Sequence, residues 1–231
     1  MAKRIAILQS NYIPWKGYFD IIHDVDEFIF HDDRQYTKQD WRNRNQIKTE
    51  RGATWLTIPV GSSEKRRICD VELPGGGWAA EHRRRIAAAY AGAPHFATYA
   101  LLFESVYPHP WRLLSDLNQH LIRAIAGDVL RLTTRFRDSR ELDLHEQRAQ
   151  RVLEIVGKTG ADVYVSGPSA RAYLDPARFA ERGVDLVWKS YDGYPEYPQF
   201  HPPFVHGVSI LDLLFHTGAD ASHYIWGWRT A

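Results

Sequence analysis

Apolar and polar residues alternate along the chain in a pattern that predicts strands separated by helices. A short apolar run, Arg4–Leu8, is typical of a buried strand, and Glu27–Phe30 is a second one. Between them, four large apolar residues recur at helical spacing after Pro14, and proline is well suited to the first turn of a helix. This unit predicts a parallel pair of strands joined by a right-handed crossover.

The middle of the chain predicts helices, and its second half returns to alternating elements. Helices are predicted over residues 78 to 91, 97 to 106 and 111 to 126, after a third strand at 54 to 60. Later strands are predicted at 129 to 133, 163 to 165 and 184 to 188, with helices or helical turns at 145 to 157, 168 to 173, 176 to 182 and from 209 to 218, and a proline-rich loop at 191 to 208.

This order of elements predicts the fold class. We expect one α/β domain over residues 1 to 231, with an open, mostly parallel sheet, flanking helices and a helical insertion at residues 78 to 127. Asp143 with Glu146, and Ser209 with Asp212, have the spacing of helix capping boxes. The alternating residues around Cys69 indicate an extended segment in which the thiol is a packed side chain.

Composition and charge narrow the class of protein. With 44% apolar and 25% charged residues the chain has ordinary globular composition, and a formal net charge of +1 argues against a nucleic-acid partner. Basic residues are concentrated between residues 34 and 51, which suits an anionic small molecule. A single cysteine excludes an internal disulfide and no apolar run has the length of a membrane span, so we expect a soluble, cytoplasmic protein.

Polar segments follow three predicted strands at their carboxyl ends. These are residues 9 to 15, 31 to 35 and 166 to 168. In open parallel sheets, ligands bind beyond the carboxyl ends of the strands, and helix N-termini favour anionic groups. The sequence therefore predicts a ligand site at this edge, although Ser166 is explained equally well as a helix cap.

Residues 31 to 48 form the most site-like segment. They combine two adjacent carboxylates with basic, amide and aromatic side chains, a mixture typical of pockets for small polar ligands. Neighbouring residues of an extended segment point in opposite directions, so a metal site at His31, Asp32 and Asp33 is disfavoured and no metal ligand is predicted. A solvated face is the alternative for the basic residues. Phosphate-loop, dinucleotide, zinc and serine-hydrolase motifs are absent from the sequence.

Together these segments resemble the WbqC-like protein family of bacteria. The resemblance is carried, in order, by QSNYIPWKGYF from residue 9, DDRQY from 32, WRNRNQIK from 41, WLTIP from 55, YVSG from 164, YLD from 173 and SILDLLF from 209. It covers about residues 5 to 218, and Ser10 stands where a proline is expected. The resemblance implies a role in gene sets for surface polysaccharides and some natural products.

Pocket composition and this resemblance lead us to expect an enzyme that transfers or ligates an acyl or aminoacyl group onto a small polar amine, such as an amino sugar. Asp33 is expected to orient or deprotonate the acceptor, and Arg44 and Lys48 to hold an anionic group or stabilise an oxyanion. The expected substrate contacts are Gln9, Asn11, Tyr12, Trp15, Tyr18, Gln35, Trp41, Asn43, Asn45, Ser166, Gly167 and Tyr173.

Two other functions stay open. A weaker resemblance to pantothenate synthetase implies an adenylate-forming ligase or nucleotidyltransferase that uses ATP with magnesium, although residues 14 to 18 lack the paired histidines of such enzymes. The other function is non-catalytic binding of a small ligand in a glycan pathway. The donor, the acceptor and the oligomeric state do not follow from the residues.

Overall fold

A parallel sheet forms the centre of the molecule in the computed structural model, which describes residues 2 to 230. The strands are β1 (Arg4–Leu8), β2 (Glu27–Phe30), β3 (Arg44–Thr49), β4 (Gly52–Thr57), β5 (Arg135–Asp138), β6 (Val163–Ser166) and β7 (Asp185–Trp188). Five of them form one sheet in the order β5-β2-β1-β6-β7, and every neighbouring pair in it is parallel. The predicted open parallel sheet is confirmed.

The direction in which strands are added reverses once across this sheet. The chain runs from β1 to β2 and on to β5, then returns to the other side of β1 to form β6 and β7. Leu8 of β1 pairs with Phe30 of β2, and Ala6 pairs with Val165 of β6. The point of reversal lies between β1 and β6, where doubly wound sheets open a crevice beyond their carboxyl ends.

Helices cover both faces of the sheet. They are α1 (Lys16–His23), α2 (Trp78–Tyr90), α3 (Phe96–Val106), α4 (Leu114–Ala124), α5 (Arg148–Thr159), α6 (Pro176–Ala180) and α7 (Ile210–Thr217). Because strand side chains alternate, Ala6 and Phe28 enter one core with α1, α2, α4 and α7, whereas Ile5 and Ile29 enter a second core with α5 and α6. The helices predicted as an insertion, α2 to α4, share the first core with the sheet.

An antiparallel hairpin of β3 and β4 lies outside the main sheet. Its apolar side chains Ile47 and Leu56 are fully buried in the first core. The sequence did not predict β3, because its other buried positions carry the polar residues Asn45 and Lys48, so the strand shows no apolar alternation.

Residues 191 to 208 form a long irregular segment that buried carboxylates hold in place. Asp20 of α1 is fully buried and accepts a hydrogen bond of 2.5 Å from the Tyr194 hydroxyl. It also accepts two hydrogen bonds from the Arg229 guanidinium, at 2.9 and 2.6 Å. The Lys189 ammonium lies 2.8 Å from Oδ1 of Asp20. Both Asp20 oxygens are therefore saturated.

Asp212 of α7 is the second buried carboxylate of this kind. It accepts hydrogen bonds from the hydroxyls of Tyr90 (2.9 Å) and Tyr197 (2.7 Å) and from the Gln199 amide (2.8 Å). The prediction that Asp212 completes a capping box was wrong, whereas Ser209 does cap the helix, accepting from the Leu211 N–H. We call Asp20, Asp212 and the groups bonded to them the anchor region.

Three other local predictions were wrong. No strand forms at 129 to 133: Val129 ends a wide helical turn, Ile125–Val129, and the residues after it are irregular. The strand begins at Arg135, whose N–H donates to the Asp26 carbonyl. Cys69 lies in a helical turn, Ile68–Asp70. Helix α5 starts only at Arg148, because Asp143 has a left-handed φ of 48° and ends the preceding turn. None of the helices within residues 2 to 230 has the length and apolar character needed to cross a bilayer.

Candidate functional site

The loops that follow β1 and β2 enclose a cleft at the carboxyl edge of the sheet. This sheet-edge cleft has a volume of about 470 Å³ and is lined by Gln9, His31, Arg34, Arg148, Ala149, Val152 and Tyr173. A more open depression of about 610 Å³ adjoins it at Arg34 and is lined by Asp33, Gln35, Glu64, Lys65, Arg66, Arg67, Asp70 and Gln147. Both lie beyond the carboxyl ends of the parallel strands, where ligands bind in sheets of this kind.

His31 and Asp33 face each other at the cleft. The Nε2 atom of His31 lies 3.7 Å from Oδ1 of Asp33. Asp33 is held in place by the Ser139 hydroxyl, which donates to it at 2.8 Å, and by a short ion pair with Arg151. Burial lowers the pKa of His31 to about 4, and Arg34 and Arg151 act in the same direction against the opposing effect of Asp33. The imidazole is therefore neutral at pH 7, beside the Asp33 side chain.

Asp32 points away from Asp33 into the protein. It is fully buried and accepts hydrogen bonds from the Ser10 N–H (2.7 Å) and the Gln119 amide (2.9 Å). Burial raises the pKa of Asp32 in spite of these bonds. The same Gln119 nitrogen donates to Asp138 at the end of β5. This network fixes the loops after β1, β2 and β5 relative to one another.

The loop after β1 is tied to the start of the hairpin. The Asn45 amide donates to the carbonyls of Tyr12 (3.1 Å) and Ile13 (2.8 Å), where Ile13 adopts a left-handed φ of 37°. The Tyr12 N–H donates to the Trp41 carbonyl, and the Tyr18 hydroxyl donates to the Gln9 carbonyl. These bonds satisfy the backbone of a sharp turn and place the side chains of residues 9 and 11 at the sheet edge.

Helix α5 brings positive charge to the cleft from a distant part of the sequence. Arg148 is its first residue and lines the cleft opposite Arg34. The helix has no side-chain cap, so its N-terminal N–H groups and dipole add to the field that favours an anion. Arg148 also has a left-handed φ of 52°, a strained conformation that proteins tend to keep at functional sites.

Two buried polar atoms without a hydrogen bond lie at the cleft, His31 Nε2 and Arg151 Nε. Within residues 2 to 230 the others, apart from the ion-paired Glu27 oxygens, are Asn11 Oδ1, Arg42 Nε, Asn43 Oδ1, Arg44 Nε and Asn118 Oδ1. Each such group costs about 1–3 kcal/mol when it is desolvated without a partner, and native proteins contain few of them. The pair at the cleft is consistent with a place that contacts polar ligands.

The structure brings some of the predicted site residues together. Gln9 and Tyr173 line the cleft, and Asp33 and Gln35 line the adjoining depression. Asn11 and Trp15 lie on the loop after β1, and Tyr18 lies in α1, which follows it. Ser166 ends β6 and Gly167 follows it, and the Trp15 ring packs 5.2 Å from the ring of Tyr191. Ser166 does not cap the following turn, so that alternative was wrong.

Other predicted residues lie outside the cleft. The Tyr12 hydroxyl is buried against His82 and Tyr107, and burial raises its pKa well above the usual value. Asn43 and Asn45 hold backbone carbonyls rather than facing the cleft.

Lys48 and Arg44 both belong to β3, but their side chains contact different parts of the molecule. The Lys48 ammonium lies under the 191 to 208 segment, where it donates to Gln199 (3.3 Å) and to the Pro203 carbonyl. Arg44 stacks on Trp55, beside Trp41. Lys48 and Asp33 therefore share no contact, and the predicted catalytic trio does not form one centre.

The sequence alone did not nominate His31, Arg34, Arg148 or Arg151 as site residues. Arg34 was visible only as part of a basic stretch, and His31 only as a disfavoured metal ligand. Arg148 and Arg151 stand more than a hundred positions from Asp33, on a helix whose own pattern indicates a surface amphipathic element. Only the return of the chain across the sheet places them there.

Comparisons with known proteins agree on one family. The family model described as "WbqC-like protein family" matches residues 9–224. The chain is also 44% identical over 226 residues to the "Uncharacterized protein Rv1507c" of Mycobacterium tuberculosis, which covers 96% of this chain and 97% of that relative. No solved structure matches the chain.

Proposed function

Because the chain belongs to the WbqC-like protein family, whose matched relative is named without an activity, we propose a function from the sheet-edge cleft itself. The protein is an enzyme that transfers or ligates an acyl or aminoacyl group onto the amine of a small, anionic or sugar-like acceptor. The observation that carries this proposal is the neutral His31 beside Asp33, in a cleft flanked by Arg34 and Arg148. A setting in surface-polysaccharide or natural-product biosynthesis rests on the family resemblance.

His31 is assigned the proton transfer. Its Nε2 atom is buried and faces Asp33, so Nδ1 is the ring nitrogen left to accept a proton from the attacking amine. Attack on the acyl carbon forms the new C–N bond and converts the amine into an ammonium that is far more acidic than the free amine, and this proton passes to Nδ1. The resulting imidazolium is stabilised by the Asp33 carboxylate. Collapse of the tetrahedral adduct then breaks the bond to the leaving group of the donor, which takes the proton from the imidazolium. Asp33 thus orients the base, with Arg151 and Ser139 keeping it in place.

We assign to Arg34 and Arg148 the binding of the anionic group of the substrate. The two arginines enter the cleft from the loop after β2 and from the start of α5. Guanidinium groups match carboxylate and phosphate oxygens in geometry and keep their charge at all relevant pH values. The proposal assigns no step to Lys48 or Arg44, which lie elsewhere.

A binding and turnover experiment tests this assignment. Native mass spectrometry of the purified protein with UDP-linked amino sugars should show complexes that the double variant Arg34→Ala/Arg148→Ala loses. With a bound acceptor identified, His31→Gln should reduce turnover at least about 100-fold, the usual contribution of a general base. His145→Gln, an exposed histidine on the loop before α5, is the matched control. Full turnover by His31→Gln removes the proposed role.

One observation favours a second candidate. When only the five strands of this sheet are counted along the chain, the order β5-β2-β1-β6-β7 becomes 3-2-1-4-5. This is the order of a mononucleotide-binding sheet, and its direction reverses between β1 and β6. An adenylate-forming ligase or nucleotidyltransferase would use this crevice for ATP with magnesium. Thermal stabilisation by ATP and magnesium supports this candidate, and no response at millimolar nucleotide removes it. Tight acceptor binding without product, under any donor, favours a non-catalytic binding protein.

A further inference from the structure

Two tryptophans form an exposed aromatic surface beside the hairpin, away from the sheet-edge cleft. Trp41 precedes β3, Trp55 lies in β4, and their ring centroids are 5.3 Å apart at an interplanar angle of 43°. Trp41 is 42% exposed, one of the few large apolar side chains in residues 2 to 230 that reach solvent. The Arg44 guanidinium lies 4.1 Å from the centre of the Trp55 ring. We call these three residues the indole platform.

The platform is held rigid before any ligand arrives. Asp40 accepts hydrogen bonds from the Trp41 N–H (2.7 Å), the Thr37 hydroxyl (2.5 Å) and Arg42 (2.8 Å). The Trp41 carbonyl accepts from the Tyr12 N–H, which joins the platform to the loop after β1. A ligand that stacks on Trp41 therefore loses little free energy to ordering the protein.

Several polar atoms of the platform lack a partner. In the described part of the chain, neither indole N–H makes a hydrogen bond, and the buried Nε of Arg44 is also unpartnered. Exposed rings normally sit singly among polar residues and need no explanation. A tilted pair of rings with free indole N–H groups and a stacked guanidinium is an arrangement suited to a ligand that has an apolar face and a polar rim.

A pyranose ring has that composition. Its axial C–H bonds form an apolar face with partial positive charge, which suits the negative face of an indole, while its hydroxyls point outward to hydrogen-bonding groups. We propose that the indole platform is a binding subsite for the pyranose ring of a saccharide. The proposal concerns binding only and stands whether or not the sheet-edge cleft transfers a group.

The charges and the exposed apolar area of the indole platform favour a saccharide over a nucleotide or a protein partner. A nucleotide would bring phosphate to the platform, yet Arg42 beside Trp41 is already paired with Asp40 at 2.8 Å, and the Arg44 guanidinium lies against the Trp55 ring. Such an Asp–Arg pair is well placed to hydrogen-bond neighbouring hydroxyls. A protein partner requires an apolar area of several hundred Å², far more than one half-exposed indole offers.

Saturation-transfer NMR tests the subsite with methyl β-D-galactopyranoside, methyl β-D-glucopyranoside and N-acetylglucosamine as probes. We expect at least one of them to bind with a Kd of about 1–10 mM, with the strongest saturation on the ring C–H protons. Trp41→Ala and Trp41→Leu should weaken binding at least about tenfold, because both remove the ring and the leucine variant keeps apolar bulk. Trp41→Phe, which keeps a ring, should bind within about threefold of the wild type.

The controls make each outcome decisive. Leu101→Ala removes another exposed large apolar side chain, on α3, and should leave probe binding unchanged. Circular dichroism and the thermal midpoint establish that the Trp41 variants are folded. The proposal is overturned if none of the three probes binds at about 20 mM, or if binding survives Trp41→Leu. It is also overturned if adenosine monophosphate binds through Trp41 while the sugars do not.

Discussion

The anchor region and the sheet-edge cleft are both built from buried charged and polar side chains, but they differ in how those groups are satisfied. In the anchor region, the oxygens of Asp20 and Asp212 each have hydrogen-bond or ion-pair partners. In the cleft, His31 Nε2 and Arg151 Nε have no hydrogen bond. Saturated carboxylates stabilise the position of a chain segment, whereas unsatisfied polar atoms reduce stability and indicate contact with a ligand.

Lys16, which lies beside the anchor region, is a buried charge that is stabilised without a hydrogen bond or ion pair to a carboxylate. Its ammonium lies over the rings of Tyr194 (4.8 Å) and Tyr197 (5.4 Å) and is almost completely buried. Burial lowers the pKa of Lys16 to about 8, against the opposing effects of Asp20 and Asp212. Aromatic faces thus replace part of the lost hydration, and the charge serves the packing of the 191 to 208 segment.

The largest effect is expected from removing one charge in the anchor region. Asp20→Asn leaves Arg229 facing a neutral group and leaves Asp24 as the carboxylate partner of Lys189, and breaking a buried ion cluster in this way costs about 3–5 kcal/mol. The free energy of unfolding from urea titration measures it. Glu81→Gln, which removes an exposed pair with Arg84, is the control and should leave the unfolding midpoint unchanged. Equal midpoints for the two variants would contradict the structural role of Asp20.

Acid should weaken the molecule through its buried histidines. Burial lowers the pKa values of His31 and His82 to about 4, so below the ordinary pKa of about 6.5 the unfolded chain binds protons that the folded chain does not. Stability therefore falls as pH decreases from about 6.5 towards 4, by roughly 1 kcal/mol per pH unit for each histidine.

Urea titrations at several pH values between 7 and 5 measure this slope. The His31→Gln variant isolates the cleft contribution, because it removes one of the two groups and should make the dependence on pH shallower. His145 is exposed, so His145→Gln should retain the wild-type slope. A slope that is identical in all three proteins would show that His31 is not buried as described.

A smaller effect is expected from a single hydroxyl of the anchor region. Tyr197→Phe removes one hydrogen bond to the Asp212 carboxylate and should lower the free energy of unfolding by about 1–3 kcal/mol. Tyr224→Phe is a matched control, because that ring packs 5.8 Å from Tyr197 but its hydroxyl makes no hydrogen bond to the described residues. If both variants lose the same stability, the ring packing and not the hydroxyl holds the segment.

The smallest change in stability is expected at the cleft. At pH 7, His31→Gln replaces a neutral ring that lacks a hydrogen bond at Nε2, so the free energy of unfolding should stay within about 0.5 kcal/mol of the wild type. The comparison is sharpened if this variant also loses ligand binding or turnover. A loss of several kcal/mol would instead place His31 among the structural residues.

The sequence predicted the sheet because its strands are short apolar runs whose character is local. Glu27–Phe30 and Val163–Ser166 are recognised from their own residues, and their parallel arrangement follows from the helices between them. The hairpin was only half predicted, since β3 buries the polar residues Asn45 and Lys48. Asn45 hydrogen-bonds to the backbone of residues 12 and 13, and Lys48 to Gln199 and Pro203. Polar burial of this kind is decided by distant groups.

The candidate site was predictable to the same extent. The carboxyl-edge rule located Gln9, Asp33 and Gln35 correctly at the cleft or its adjoining depression, because their position depends only on where a strand ends. It did not supply Arg148 or Arg151, which reach the cleft through the packing of α5. Lys48 looked equivalent to them in sequence, since a cation's partner is not encoded beside it.

The Asp20 cluster has a consequence for how the chain is made. Asp20 belongs to the first helix, while its partners Lys189, Tyr194 and Arg229 all come from the last fifth of the sequence. During synthesis, Asp20 therefore leaves the ribosome long before the groups that pair with it. Until Lys189 emerges, helix α1 cannot bury Asp20 without an unpaired charge, so native packing of α1 in the first core should follow the synthesis of residue 189.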